Sequence, residues 1–168
     1  QLHRRQRQMC IRDSLKEENL ISKDIGPGNC LIDEWMRRNK KGNYDKNGEA
    51  ASIGNTNELI LNQALEDFEN ITDININSFD VNDFEINFLR GLDLEDGAST
   101  ITEFTSNIIA SKLLNEISKS GLEISKIVLC GGGRKNKTLI DRIKKLCGNK
   151  VKFETTDDYG VDGDFVES

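Results

Sequence analysis

Ile124-Ser-Lys-Ile-Val-Leu-Cys130 runs directly into Gly131-Gly132-Gly133, then into Asn136 and a segment carrying Leu139, Ile140, Ile143 and Leu146. The first seven residues are rich in apolar and β-branched side chains and predict a buried strand. The four later apolar residues share one face at helical spacing and predict a helix. Val151 to Thr155 predicts a further strand. Strands alternating with helices argue for an α/β fold. Three successive glycines exceed what a turn requires. Bare backbone there suits either a flat ligand group or close packing of helix on strand. The pattern is neither Gly-x-Gly-x-x-Gly nor Gly-x-x-x-x-Gly-Lys-Ser/Thr, which speaks against a Rossmann site and a P-loop.

The same order recurs upstream. Asn19 to Ile25 predicts a strand, Gly26-Pro27-Gly28-Asn29 a tight turn, and Leu31, Ile32, Trp35 and Met36 one face of a helix that Gly42 ends. Here Asp24 stands at a strand end before a helix start. Free amides at a helix start favour an anion, and a carboxylate beside them can act as a general base or hold Mg²⁺ through water. An ordinary strand–turn–helix corner capped by Asp24 is the competing reading. Between the two units lie a polar loop over Asn43–Asn57, a helix over Glu58–Phe68 with Leu59, Leu61, Leu65 and Phe68 as its apolar set, and an irregular Asn- and Asp-rich stretch over Asn70–Asp83. A short helix over Phe84–Leu92 and a long one from Glu95 to about Ser120, ended by Gly121, complete the pattern. Tyr44-Asp45-Lys46-Asn47-Gly48-Glu49 looks like the start of a calcium loop, but position 12 is Thr56 where an EF-hand needs Glu, so a polar surface loop is the reading.

The 168 residues, 36% hydrophobic and 31% charged, suit one domain or one lobe of a larger enzyme. No stretch approaches the length of a membrane span, and the N-terminus lacks a signal-like apolar segment. Residues 1–14 are basic and aperiodic and resemble the translation of a sequencing adaptor. They are expected to be non-native and disordered, leaving 15–168 as the domain. They hold four arginines against one aspartate, so the chain's 23 basic and 29 acidic residues fall to 19 and 28, a net charge of −9. A negative domain without a basic stripe has no electrostatic reason to bind nucleic acid or an anionic membrane. The only histidine, His3, falls in that segment, so the remainder has no histidine base, nucleophile or metal ligand. Cys30, Cys130 and Cys147 are far apart and odd in number, which fits free thiols in a reducing cytoplasm.

Taken together, these pieces resemble one family. Asp24-Ile-Gly-Pro-Gly-Asn-Cys-Leu-Ile-Asp-Glu-Trp35 is similar to the Asp-x-Gly-Pro-Gly-Asn-x-Leu-(Ile/Met)-Asp-x-Trp motif of anhydro-N-acetylmuramic acid kinases. Tyr44-Asp45-x-x-Gly48-x-x-Ala51, Leu94-Glu-Asp-Gly-Ala98, Val128-Leu-Cys-Gly-Gly-Gly133-x-x-Asn136, Thr155-Thr-Asp-Asp-Tyr-Gly160 and Gly163-Asp-x-x-Glu167 follow at similar spacing. The resemblance runs from about Asn19 to Ser168. It departs at Asn77 and Val81, where many members carry Lys and Arg.

The resemblance implies a ribonuclease-H-like α/β lobe with a mixed sheet, the second half of a two-lobe actin-like kinase, incomplete at both ends. It implies ATP and Mg²⁺, with the metal carried by ATP rather than by residues of this chain. The implied reaction is cleavage of the 1,6-anhydro bond of 1,6-anhydro-N-acetylmuramic acid by water, with the γ-phosphoryl moving to O6, in cytoplasmic cell-wall recycling. Asp24 takes the catalytic-base position. Gly26, Gly28 and Asn29 face the phosphates; Gly131, Gly132, Gly133 and Asn136 lie near the adenosine; Asp33 and Glu167 fall on the substrate side. The implied partners are the sugar and an N-terminal lobe with a Gly-Thr-Ser-x-Asp-Gly loop, and a homodimer is allowed. The alternative is a non-catalytic actin-like nucleotide-binding module. The literal chain, with one lobe, is expected to be inactive.

Overall fold

The computed structural model describes residues 9–12, 22–72, 85–121 and 125–164. Four strands and five α-helices are described: β1 (Met9–Arg12), β2 (Ser22–Gly26), α1 (Cys30–Arg38), α2 (Glu49–Ile53), α3 (Glu58–Thr72), α4 (Leu94–Ser120), β3 (Ser125–Leu129), α5 (Lys137–Cys147) and β4 (Val151–Thr155). Short 3₁₀ turns over Lys46–Gly48, Ile86–Leu89, Gly132–Lys135, Gly148–Lys150 and Thr156–Tyr159 join them.

The organising element is α4. Asp93 caps its start by accepting the Asp96 N–H at 2.9 Å, and Gly121 ends it in a left-handed conformation. Its Ile101, Phe104, Ile108, Ile109 and Leu113 are buried, but so are Ser99, Thr100, Thr102, Thr105 and Ser106 on other faces. A helix buried on most of its circumference needs neighbours all round, and α1, α2, α3, α5 and β2 all pack on it. On α1 the four apolar residues Leu31, Ile32, Trp35 and Met36 are all buried as their spacing requires. The Trp35 indole lies against the first turn of α4 and donates its Nε1–H to the Leu94 carbonyl at 2.9 Å. A Cβ at Gly97 would stand 2.1 Å from that ring, so Gly97 is what lets the helix pass under it.

Among the described residues the strands form two separate pairs where one mixed sheet was expected. β3 and β4 pair in parallel, Ser125 with Val151 through Leu129 with Thr155, joined by α5. β1 and β2 form a separate antiparallel pair. Met9–Arg12, within the segment expected to be without structure, is β1, with Cys10 opposite Asp24 and a register shift between Met9 and Cys10. An extended strand edge such as β2 offers unpaired N–H and C=O groups to any segment that can lie alongside it, whatever that segment's pattern.

Two other expectations change. The polar loop over Asn43–Asn57 contains α2, whose Ala51 is fully buried. On α3, Leu61 and Phe68 are buried and Leu65 partly so, but Leu59 is 82% exposed. α3 runs through Thr72, so the stretch expected to be irregular from Asn70 starts as helix, and the rest of it lies outside the described residues. The Asn77 and Val81 departures lie outside the described residues.

Among the described residues, no helix is long and apolar enough to cross a membrane. Cys30, Cys130 and Cys147 form no disulfide, and burial pushes the Cys147 thiol up.

Candidate functional site

The two glycine turns meet. Gly28 and Asn29, entering α1, and Cys130 to Gly133, leaving β3, line one cavity of about 550 Å³. Its third wall is the Tyr44–Asn47 segment, and Leu139 of α5 adds an apolar side chain.

Each wall is held by its own chemistry. Gly131 has φ 73° and ψ 175°, a conformation that side chains rarely adopt, so a residue with a Cβ would be strained there. Its N–H donates to the Gly163 carbonyl at 2.8 Å, which ties the turn to the end of the described chain. Asn136, almost fully buried, caps α5 with its Oδ1 accepting the Leu139 N–H at 3.0 Å. In the third wall the Asp45 carboxylate is buried and accepts the Ala50 N–H at 2.9 Å and the Ala51 N–H at 3.0 Å. This carboxylate anchors α2, so the calcium-like pattern is structural. Gly48 presents its carbonyl to the Thr138 hydroxyl at 2.7 Å, and a Cβ there would stand 2.4 Å from Asn136 Oδ1. The loop is therefore seated directly on the start of α5.

Beside the Gly131 turn sits a cluster that sequence spacing could not reveal. The Arg134 side chain is 7% exposed and pairs with Asp157 at 2.7 Å and Asp164 at 2.7 Å, with Asp162 at 3.8 Å. Its Nη1–H also donates to the Gly131 carbonyl at 3.0 Å. Hydrogen bonds from Arg134, then Lys135, hold the Asp164 carboxyl at about 2. Arg134 holds Asp157 below the ordinary carboxylate range, and Asp157 and Asp164 in turn push the guanidinium up. The partners lie 23 and 30 residues from Arg134, too far for any local pattern to join them.

The expected site residues divide. Gly28, Asn29, Gly131, Gly132, Gly133 and Asn136 line the cavity. Gly26 does not. It is buried, and a Cβ there would stand 3.2 Å from Ile109 Cγ1, so it serves the packing of β2 on α4. Asp33 lies in the first turn of α1, half-buried and off the cavity wall. The backbone of Asp24 is in β2, two residues before Gly26; its side chain, and Glu167, lie outside the described residues. Tyr44, Lys46 and Lys135 line the cavity without having been singled out as site residues. The exposed aromatic at Tyr44 was the signal available for the first. Among the described residues no group of three His, Cys, Asp or Glu side chains is placed to hold a metal.

One polar atom on the wall is left without a partner. Asn29 Oδ1 is buried and makes no hydrogen bond, although Asn29 occupies the position that would cap α1. Buried amide oxygens are normally paired, and the buried Thr102, Thr105 and Thr156 hydroxyls share this departure.

The family model described as anhydro-N-acetylmuramic acid kinase matches residues 14–168. This chain belongs to the anhydro-N-acetylmuramic acid kinase family. A protein of that name from Pelagibacter ubique (strain HTCC1062) is 46% identical over 155 residues, which cover 92% of this chain and 41% of the relative. Those from Zymomonas mobilis and Rhizorhabdus wittichii are 32% and 34% identical over 152 residues, 90% of this chain and 40% of each relative. The chain thus spans about two-fifths of the length of the relatives it matches. The match takes in both glycine turns. It gives a second meaning to the Asp24–Trp35 and Val128–Asn136 motifs, since both converge on the cavity just described.

Proposed function

We propose that this chain is one α/β lobe, residues 15–168, of a two-lobe actin-like kinase that converts 1,6-anhydro-N-acetylmuramic acid, water and ATP to N-acetylmuramic acid 6-phosphate and ADP. The observation that carries this reading is the convergence of the two glycine turns on one cavity. The lobe would work in the cytoplasm, against an N-terminal lobe that carries the other half of the phosphate clamp.

In this reading Asp24, in β2, accepts a proton from water as the water oxygen bonds to the anomeric carbon. The C1–O6 bond breaks and O6 takes the γ-phosphoryl, with ADP leaving. The backbone at Gly28 and the start of α1 faces the phosphates, where unpaired amides favour anions. Gly131 to Gly133 give the nucleoside a wall without side chains. Asn29 Oδ1 can only accept, so a group bound to it would be a donor such as a sugar hydroxyl or the attacking water. Phosphate oxygens cannot fill that role. Charge on the transferring group would be neutralised by the Mg²⁺ that ATP brings.

The test is to incubate the full-length protein containing this chain with the anhydro sugar and Mg-ATP. Sugar phosphate and ADP formed in equal amounts support the kinase. Nucleotide binding without sugar phosphate would instead favour a non-catalytic nucleotide-binding module.

A further inference from the structure

We infer that Tyr44 is the platform on which the base of the bound nucleotide stacks. This rests on the nucleotide reading of the cavity and adds to it the residue that recognises the base. Tyr44 lines the cavity and is 56% exposed, a large aromatic face held in solvent. Among the described residues its hydroxyl has no hydrogen-bond partner, so no polar contact explains why the ring stands there.

The segment that carries Tyr44 is fixed. Asp45, the next residue, is clamped by the Ala50 and Ala51 N–H groups. Asn47 and Gly48 are both left-handed, with φ 55° and 73°, and Gly48 is bonded to Thr138. A left-handed non-glycine residue persists only where its surroundings enforce it, so the ring is presented by a preset loop. Another wall of the same cavity is the bare backbone of Gly131 to Gly133; a Cβ at Gly133 would meet nothing within 4 Å. Cys130 and Leu139 supply apolar surface alongside. An aromatic face, side-chain-free backbone and apolar lining make a site for a flat heteroaromatic ring. The phosphates would then extend toward Gly28 and the start of α1.

The experiment measures binding of Mg-ATP and of Mg-tripolyphosphate, which has no base, to the full-length protein and its Tyr44→Ala and Tyr44→Phe variants. Stacking a base on an aromatic side chain is worth about 1–3 kcal/mol by alanine substitution, or roughly five- to 150-fold in affinity. Tyr44→Ala should weaken ATP by that factor and leave tripolyphosphate unchanged, and Tyr44→Phe should bind ATP within about twofold of wild type on the same scale. Unchanged ATP affinity in Tyr44→Ala overturns the inference. Equal losses for ATP and tripolyphosphate also overturn it, because they make Tyr44 a support of the loop. Wild-type protein that binds tripolyphosphate but gains nothing from the base overturns it as well, while leaving the phosphate site intact. Wild type that binds neither removes the nucleotide reading itself.

Discussion

Asp45 shows how one side chain can secure a site wall. Each of its oxygens accepts one backbone N–H, from Ala50 and Ala51. Removing the carboxylate strands two N–H groups at the start of α2, and an unpaired buried group costs about 1–3 kcal/mol. Asp45→Ala should lower stability by about that much, read as a lower urea midpoint at unchanged slope. Asp45→Asn keeps one acceptor and should fall between. A second residue-scale prediction concerns chemistry. In the full-length protein Asp24→Asn keeps shape and removes the proposed base, so kcat should drop by about 10²–10⁴-fold. The KM for ATP should change little, because Gly28 and Gly131–Gly133 survive. Activity within tenfold of wild type would exclude Asp24 as the base. Neither Asp45 nor Arg134 could be assigned its role from sequence: Asp45 read as part of a polar surface loop, and the carboxylates around Arg134 come from a distant segment.

At the scale of elements, what could be read was long and periodic. α1 and α5 each carry enough apolar residues to show a face, α4 is long and apolar on several sides, and β4 is a run of alternating side chains bounded by turns. α2 was missed because its five residues bury one side chain fully, Ala51, too little to make a period. Leu59 misled because it precedes the point at which α3 turns its face to the core, marked by Leu61. The pairing of β1 with β2 is a backbone event, and side-chain pattern does not report it.

The tie between the Gly131 turn and the Thr156–Asp164 segment makes an element-scale prediction. Asp164 is held at about 2 and Asp157 is also depressed, so both are charged well below the ordinary aspartate value of about 4. A carboxylate with a depressed folded pKa stabilises fully above its unfolded pKa, and that contribution is lost as pH falls through the folded one. The turn should therefore stay closed above about pH 4 and loosen as pH approaches about 2. The protection of the Gly131 amide, bonded to Gly163, relative to free exchange at the same pH should fall across that window, and in Arg134→Ala it should already be lost at neutral pH. Exchange that stays slow in Arg134→Ala would show that the turn holds itself.

For the whole molecule, the cavity has walls from α1, the Tyr44–Asn47 segment and the β3–α5 turn, all in a chain that spans about two-fifths of its relatives. Positioning supplies much of phosphoryl-transfer catalysis. The 168-residue chain alone should therefore form no sugar phosphate, even where it binds nucleotide. Turnover by the isolated chain would overturn the two-lobe account. The central claim is that water attacks the sugar while ATP phosphorylates the oxygen released. It is tested most directly by one turnover of the full-length protein in heavy-oxygen water, quenched early and read by mass spectrometry. The account predicts the heavy oxygen in the sugar part of a sugar phosphate and none in the phosphoryl group. Heavy oxygen in free inorganic phosphate, with the anhydro sugar unchanged, would contradict it, because water would then have attacked phosphorus.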